Sequence, residues 1–141
     1  MKKLLFGLLS LTLLTTACKK SKDAPAVTKE NLAGSYKITS IKASINGSPF
    51  VDADYRDACQ KDDIIELKAD FTYSYHDAGT VCNPAGDATG TWALDGTTIS
   101  SPDNAEINGD ITSFDGSSME VTVNSTDGGT IITAKTTLKK Q

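Results

Sequence analysis

The chain has 141 residues, 14 of them basic and 18 acidic, for a net charge of −4. An acidic chain without a basic patch argues against nucleic acid and against electrostatic docking on anionic lipid. One histidine, and three cysteines with no CxxC spacing, argue against a histidine-rich or zinc-finger metal site.

The N-terminus comes first. Met1 is followed by Lys2 and Lys3, an apolar run from Leu4 to Leu14, then Thr15, Thr16 and Ala17. A basic start, a short greasy middle and a small-residue end make a secretory signal peptide over 1–17. The run has 11 residues, whereas a membrane-spanning helix needs about 20. Leu14 to Cys18 resembles the lipobox of bacterial lipoproteins, with Thr15 at the position where leucine is commonest. The resemblance implies cleavage before Cys18, a diacylglyceryl group on its sulfur and acylation of its new amino group. An ordinary thiol on a soluble secreted protein is the plainer alternative. If Cys18 carries lipid, Cys59 and Cys82 are left either as a bridge, which over that span contributes roughly 3 kcal/mol, or as two free, separately buried thiols. Removing Lys2 and Lys3 leaves 12 basic against 18 acidic residues, about −6, so membrane attachment would rest on the acyl chains.

"KKSKDAPAVTKE" reads as a flexible tether, 18–30 with the anchor cysteine. Thr28 is an N-cap signal for one short helical turn that Gly34 stops. From there the chain reads as strands. In "SYKITSIKAS" Tyr36 and Ile38 share a face; the apolar phase then slips to Ile41, Ala43 and Ile45, which predicts a bulge or bend in a long strand. "NGSP" is a hairpin turn leading to a short strand near Phe50 and Val51. "DADYRDACQKDD" is a charged loop with room for a helical turn. "DIIELK" and "FTYSYH" are strands joined by a tight turn, with Phe71, Tyr73 and Tyr75 on one face. After the loop "DAGTVCNPAGD", "ATGTWAL" puts Gly90, Trp92 and Leu94 together. The Asp-Gly turn at 95 and 96 leads to "TTIS", and a strand within "EINGDITSF" follows a loop holding Pro102. "MEVTVNS" alternates Met119, Val121 and Val123. The last strand, "TIITAKTTLKK", turns Ile132, Ala134 and Leu138 inward.

Eight to nine short antiparallel strands, tight turns and almost no helix predict an all-β, up-and-down barrel over 31–141 with a short N-terminal helical turn. A two-sheet sandwich is the other architecture this pattern allows.

These residues also resemble a family. "LAGSYKITSI" is similar to the Gly-x-Trp opening of lipocalins, with Tyr36 where tryptophan is usual. "CQKDDIIELKADFTYSY", a second cysteine and "GTWALDGTTI" resemble the lipocalin-like domain of small bacterial envelope lipoproteins. The resemblance runs from about residue 31 to 139. It implies a lipocalin-type barrel, a Cys59–Cys82 bridge, no assigned catalytic activity and no fixed ligand.

Candidate sites follow. Tyr36, Ile38, Phe71, Tyr73, Tyr75 and Trp92 would line a lumen, with phenol hydroxyls as polar fixing points; equally, they would simply fill a small barrel, Trp92 as a plug at its floor. Asp52, Asp54, Asp57, Asp62 and Asp63 lack the glycine and terminal glutamate of a calcium-binding hand, and Arg56 sits among them. The Asp62–Asp63 pair beside Cys59 suits capping of the bridge region. His76 falls at a strand end, and no nucleophile elbow, phosphate loop or dinucleotide fingerprint is present, so no catalytic residue, metal or cofactor is expected. The expectation is a non-catalytic protein held in the outer membrane by acyl chains on Cys18. Lys19 and Lys20 favour its periplasmic face. It would bind a small apolar ligand in the barrel or, alternatively, an envelope protein through its loops.

Overall fold

The structure is a computed structural model that describes residues 24–141. Cys18, the expected signal segment 1–17 and the first part of the expected tether lie outside the described residues. The described residues ahead of the first helical turn, part of the segment expected as a tether, lie on the domain: Val27 packs against the core, and the Asn31 side-chain amide donates to the Ala26 carbonyl at 2.9 Å.

A single helical turn, α1 (Lys29–Leu32), opens the fold. Thr28 caps it, its hydroxyl accepting from the Asn31 N–H at 3.2 Å, and this aims Leu32 into the core, where it is fully buried. The strands are β1 (Gly34–Ile45), β2 (Val51–Asp52), β3 (Ile64–Leu67), β4 (Thr72–His76), β5 (Ala88–Thr91), β6 (Ala93–Asp95), β7 (Thr98–Ser100), β8 (Gly109–Phe114), β9 (Ser118–Asp127) and β10 (Thr130–Lys140). Two 3-10 turns, Ala58–Gln60 and Ala105–Ile107, lie in the loops before β3 and β8.

All pairings are antiparallel, in the order β5-β4-β3-β1-β10-β9-β8-β7-β6, with β2 added to β1. The two ends of that path, β5 and β6, are separated only by Trp92. They form one bent strand, so the meander is a nearly closed barrel of eight staves, as the turn pattern predicts. The phase slip read in β1 is a register shift between Ile38 and Ser40 against β10. It lets one strand of 12 residues turn the first apolar set and then the second onto the inner face.

The barrel is closed at one end. Tyr36 is fully buried and its phenol donates to the Leu32 carbonyl at 2.7 Å. Trp92 Nε1 donates to the carbonyls of Lys68 and Thr72, at 3.0 and 3.1 Å, and so staples the β3–β4 turn to the bent strand. Phe71 is not a strand residue. It occupies the left-handed position of that turn at φ 67°, a conformation that strains a bulky side chain. Its ring meets Trp92 edge-on at 5.1 Å, with the Lys29 ammonium 5.0 Å from its centroid. Above this floor, Ile65, Leu67, Ile99, Ile111, Met119, Val121 and Leu138 fill the interior, as a barrel of this strand number allows. Val123 continues the inner face of β9 but lies beyond the core and is exposed.

Candidate functional site

At the opposite end, loops 53–63, 77–87 and 101–108 surround a cavity of about 330 Å³, at the lower limit of small-molecule sites. Three aspartates build one wall by fixing loop 77–87. Asp62 Oδ2 accepts from the Thr80 N–H at 2.9 Å and Asp63 Oδ1 from the Ala78 N–H at 3.1 Å. The Asp77 carboxylate accepts from Cys82 at 3.0 Å and from Gly86 at 2.8 Å. Gly79 sits at φ 61° with the Asp62 carboxylate where a Cβ would be, so the chain approach requires glycine. A Cys59–Cys82 disulfide, with Cα atoms 5.3 Å apart, ties this loop to the Ala58–Gln60 turn. The Asp62–Asp63 pair therefore does organise the bridge region.

Tyr73 and Tyr75, from β4, form the floor and side of the cavity. The Tyr75 phenol donates to Asp63 Oδ2 at 2.6 Å. Burial, reinforced by this bond, pushes its pKa well above the usual tyrosine value. Gly90, on β5, has no side chain where one would collide: a Cβ there would stand 2.6 Å from Tyr73 Cε1 and 2.8 Å from Asp103 Oδ2. The missing side chain lets the Asp103 carboxylate approach Tyr73. The Ala105–Ile107 turn, capped by the Asn104 side chain accepting from the Glu106 N–H at 2.9 Å, brings Glu106 to the same rim. Burial raises the Glu106 pKa above the ordinary 4.5.

Arg56 is the nearest guanidinium, and its donors are committed. Nε and Nη2 bind the Asp54 carboxylate, each at 2.9 Å; Nη1 reaches the Gln60 carbonyl and Nη2 the Ile38 carbonyl, both at 3.2 Å. It occupies the gap left where the β1–β3 ladder ends at Tyr36 and Ile65. The hydrogen bond to Arg56 holds the Asp54 carboxyl below the usual carboxylate range. Among the described residues no group of three His, Cys, Asp or Glu side chains is placed to hold a metal ion.

Of the six candidate lumen residues, Tyr73 and Tyr75 border the cavity, Tyr73 being buried in the core together with Tyr36, Ile38 and Trp92, and Phe71 packs against that core from the turn. His76 stands on the other face of β4, 3.8 Å from Glu66 and 4.0 Å from Asp87. Periodicity missed Asp77, Asp103 and Glu106, because they lie on loops. The glycine at position 90 and the Asn-x-Glu cap at 104–106 were the available signals.

A family model described as a lipocalin-like domain matches residues 32–136. The chain belongs to the lipocalin-like domain family. Comparison with curated proteins and with solved structures gives no match. Lipocalin-like domains are generally non-catalytic binding proteins. In this lipocalin-like domain the space inside the barrel lies at the mouth, since the barrel below Tyr73 is occupied by its own side chains.

Proposed function

We propose that this protein is an exported lipoprotein, acylated on Cys18, whose barrel holds a small organic ligand with an apolar body at its mouth. The observation that carries the ligand reading is the cavity of about 330 Å³ above a packed core, with the rings of Tyr73 and Tyr75 as its apolar wall. The position of the chain's entry supports the anchor's geometry. Pro25 lies beside Gly116, in the β8–β9 turn at the closed end, so a short tether from Cys18 leaves the mouth directed away from the bilayer. Lys19 and Lys20 support the periplasmic leaflet of the outer membrane. Signal peptide 1–17, tether 18–30 and barrel 31–141 are the corresponding organisation.

A second reading, a protein partner docked on the loops, is favoured by the tip of the β1–β10–β9 ribbon, where Ile45, Val51, Val123 and Ile131 are all exposed. Native mass spectrometry of the protein, gently extracted from its envelope, separates the two readings. The expected mass is the chain from Cys18 plus acyl groups plus a small molecule released on denaturation. A chain carrying neither small molecule nor lipid overturns the proposal, and a stoichiometric protein partner in place of the small molecule supports the second reading.

A further inference from the structure

We propose that the mouth cavity takes an organic cation, an ammonium- or guanidinium-bearing molecule with an apolar body that lies on Tyr73 and Tyr75. The inference rests on reading that cavity as the ligand site and names the ligand's charge.

The cavity is lined by the Tyr75 ring at its side, the buried Tyr73 at its floor and four carboxylates, Asp63, Asp77, Asp103 and Glu106, with no lysine or arginine among its lining residues. Asp63 and Asp77 are satisfied by neutral donors, the Tyr75 hydroxyl and backbone N–H groups, so their charge is held in place without being cancelled. Arg56 is paired with Asp54 and its remaining donors bind backbone carbonyls; its charge reaches Glu106 without a hydrogen bond and offsets only part of the rim's negative charge. Asp103 and Glu106 have neither a hydrogen bond to the carboxylate nor an ion pair among the described residues. Glu106 is in addition partly desolvated.

Three ligand classes are disfavoured by this lining. An anion meets four like charges. A wholly apolar ligand would displace water from carboxylates and return no partner, which is expensive for ionised groups. A metal ion needs ligands that converge, and these do not. A cation on an organic frame answers both halves of the lining: the charge is met by carboxylates spread around it, and the body by aromatic faces, the combination that recognises ammonium groups.

The test uses the full acylated protein in detergent and three probes on one aromatic frame: benzyltrimethylammonium, benzyl alcohol and benzoate. Titration is followed by calorimetry and by the NMR signals of Tyr73 and Tyr75. Benzyltrimethylammonium is expected to bind at least about tenfold tighter than the other two and to weaken with added salt. Glu106→Gln and Asp103→Asn should each weaken it roughly three- to tenfold, while retaining the wild-type melting temperature or exceeding it. Gly90→Val, whose side chain would push Tyr73 and Asp103 out of place, should abolish binding. If benzyl alcohol or benzoate binds there as tightly, or if the charge variants leave cation affinity unchanged, the inference fails and the ligand site stands. If no probe binds although envelope-extracted protein retains a small molecule, the inference fails alone. If no probe binds and nothing is retained, both readings fail.

Discussion

Asp77 carries the N–H groups of Cys82 and Gly86 on one carboxylate, so its removal leaves two donors of a tight loop without a partner. Asp77→Ala should cost about 2 kcal/mol in denaturant unfolding, and Asp77→Asn, which keeps one acceptor oxygen, should cost less. Glu106 works in the opposite direction. Burial raises its pKa, with Arg56 opposing and Asp54 and Asp63 adding to the rise. A raised acid pKa means that the folded state binds its proton more tightly than the unfolded chain does. Stability is therefore full below the ordinary glutamate value and falls as pH rises through the raised one. Glu106→Gln should raise the melting temperature at neutral pH and leave it unchanged in acid; a gain of equal size at both would contradict this. Asp62 and Asp63 were legible as a pair beside a cysteine. Asp77, Asp103 and Glu106 were not, because what makes each of them matter is a loop partner or rim position that no local spacing encodes.

At the scale of elements, the turn residues were the most readable part of the chain. Asn46 and Gly47 take positive φ at the β1–β2 turn, as do Gly96 and Gly116 in their hairpins, and these residue types supply that geometry at little strain. The bulge in β1 was legible too, since a one-residue slip moves the whole apolar set to the other face. The break at Trp92 was not. Alternation carries straight through "ATGTWAL", and the bend arises because Trp92 Nε1 is drawn to the β3–β4 turn. Trp92→Phe keeps the ring against Phe71 but loses that donor, and should cost about 1–2 kcal/mol, with hydrogen-exchange protection falling first in the Lys68–Thr72 turn. The disulfide acts on a different element. Cys59 and Cys82 close a loop spanning 23 residues in sequence, so Cys59→Ser with Cys82→Ser should lower stability by about 3 kcal/mol. Because Cys82 and Asp77 both line the cavity, ligand binding should weaken before the core strands open. Equal loss of protection throughout the barrel would argue against a separately held loop.

Across the whole molecule, the barrel is polarised. One end is shut by Leu32, Phe71 and Trp92, and its interior is filled up to Tyr73; the other end carries the cavity, the disulfide loop and the exposed ribbon tip. The all-β barrel was legible from strand count and turns, and its family from the Cys-x-x-Asp-Asp and Gly-x-Trp segments. Whether the lumen was open could not be read from the same residues, because aromatic side chains on an inner face serve a packed core and a ligand wall equally well. Depth decides it here: Tyr36 and Trp92 are needed to seal the closed end, and of the six only Tyr73 and Tyr75 border the cavity. A crystal structure of the protein extracted with its native small molecule tests this directly. The account predicts ligand density at the mouth, against Tyr73 and Tyr75 and within reach of Asp103 and Glu106, above an unchanged core. Density deep among Tyr36, Ile38 and Trp92, or on the outside of the barrel, would contradict it.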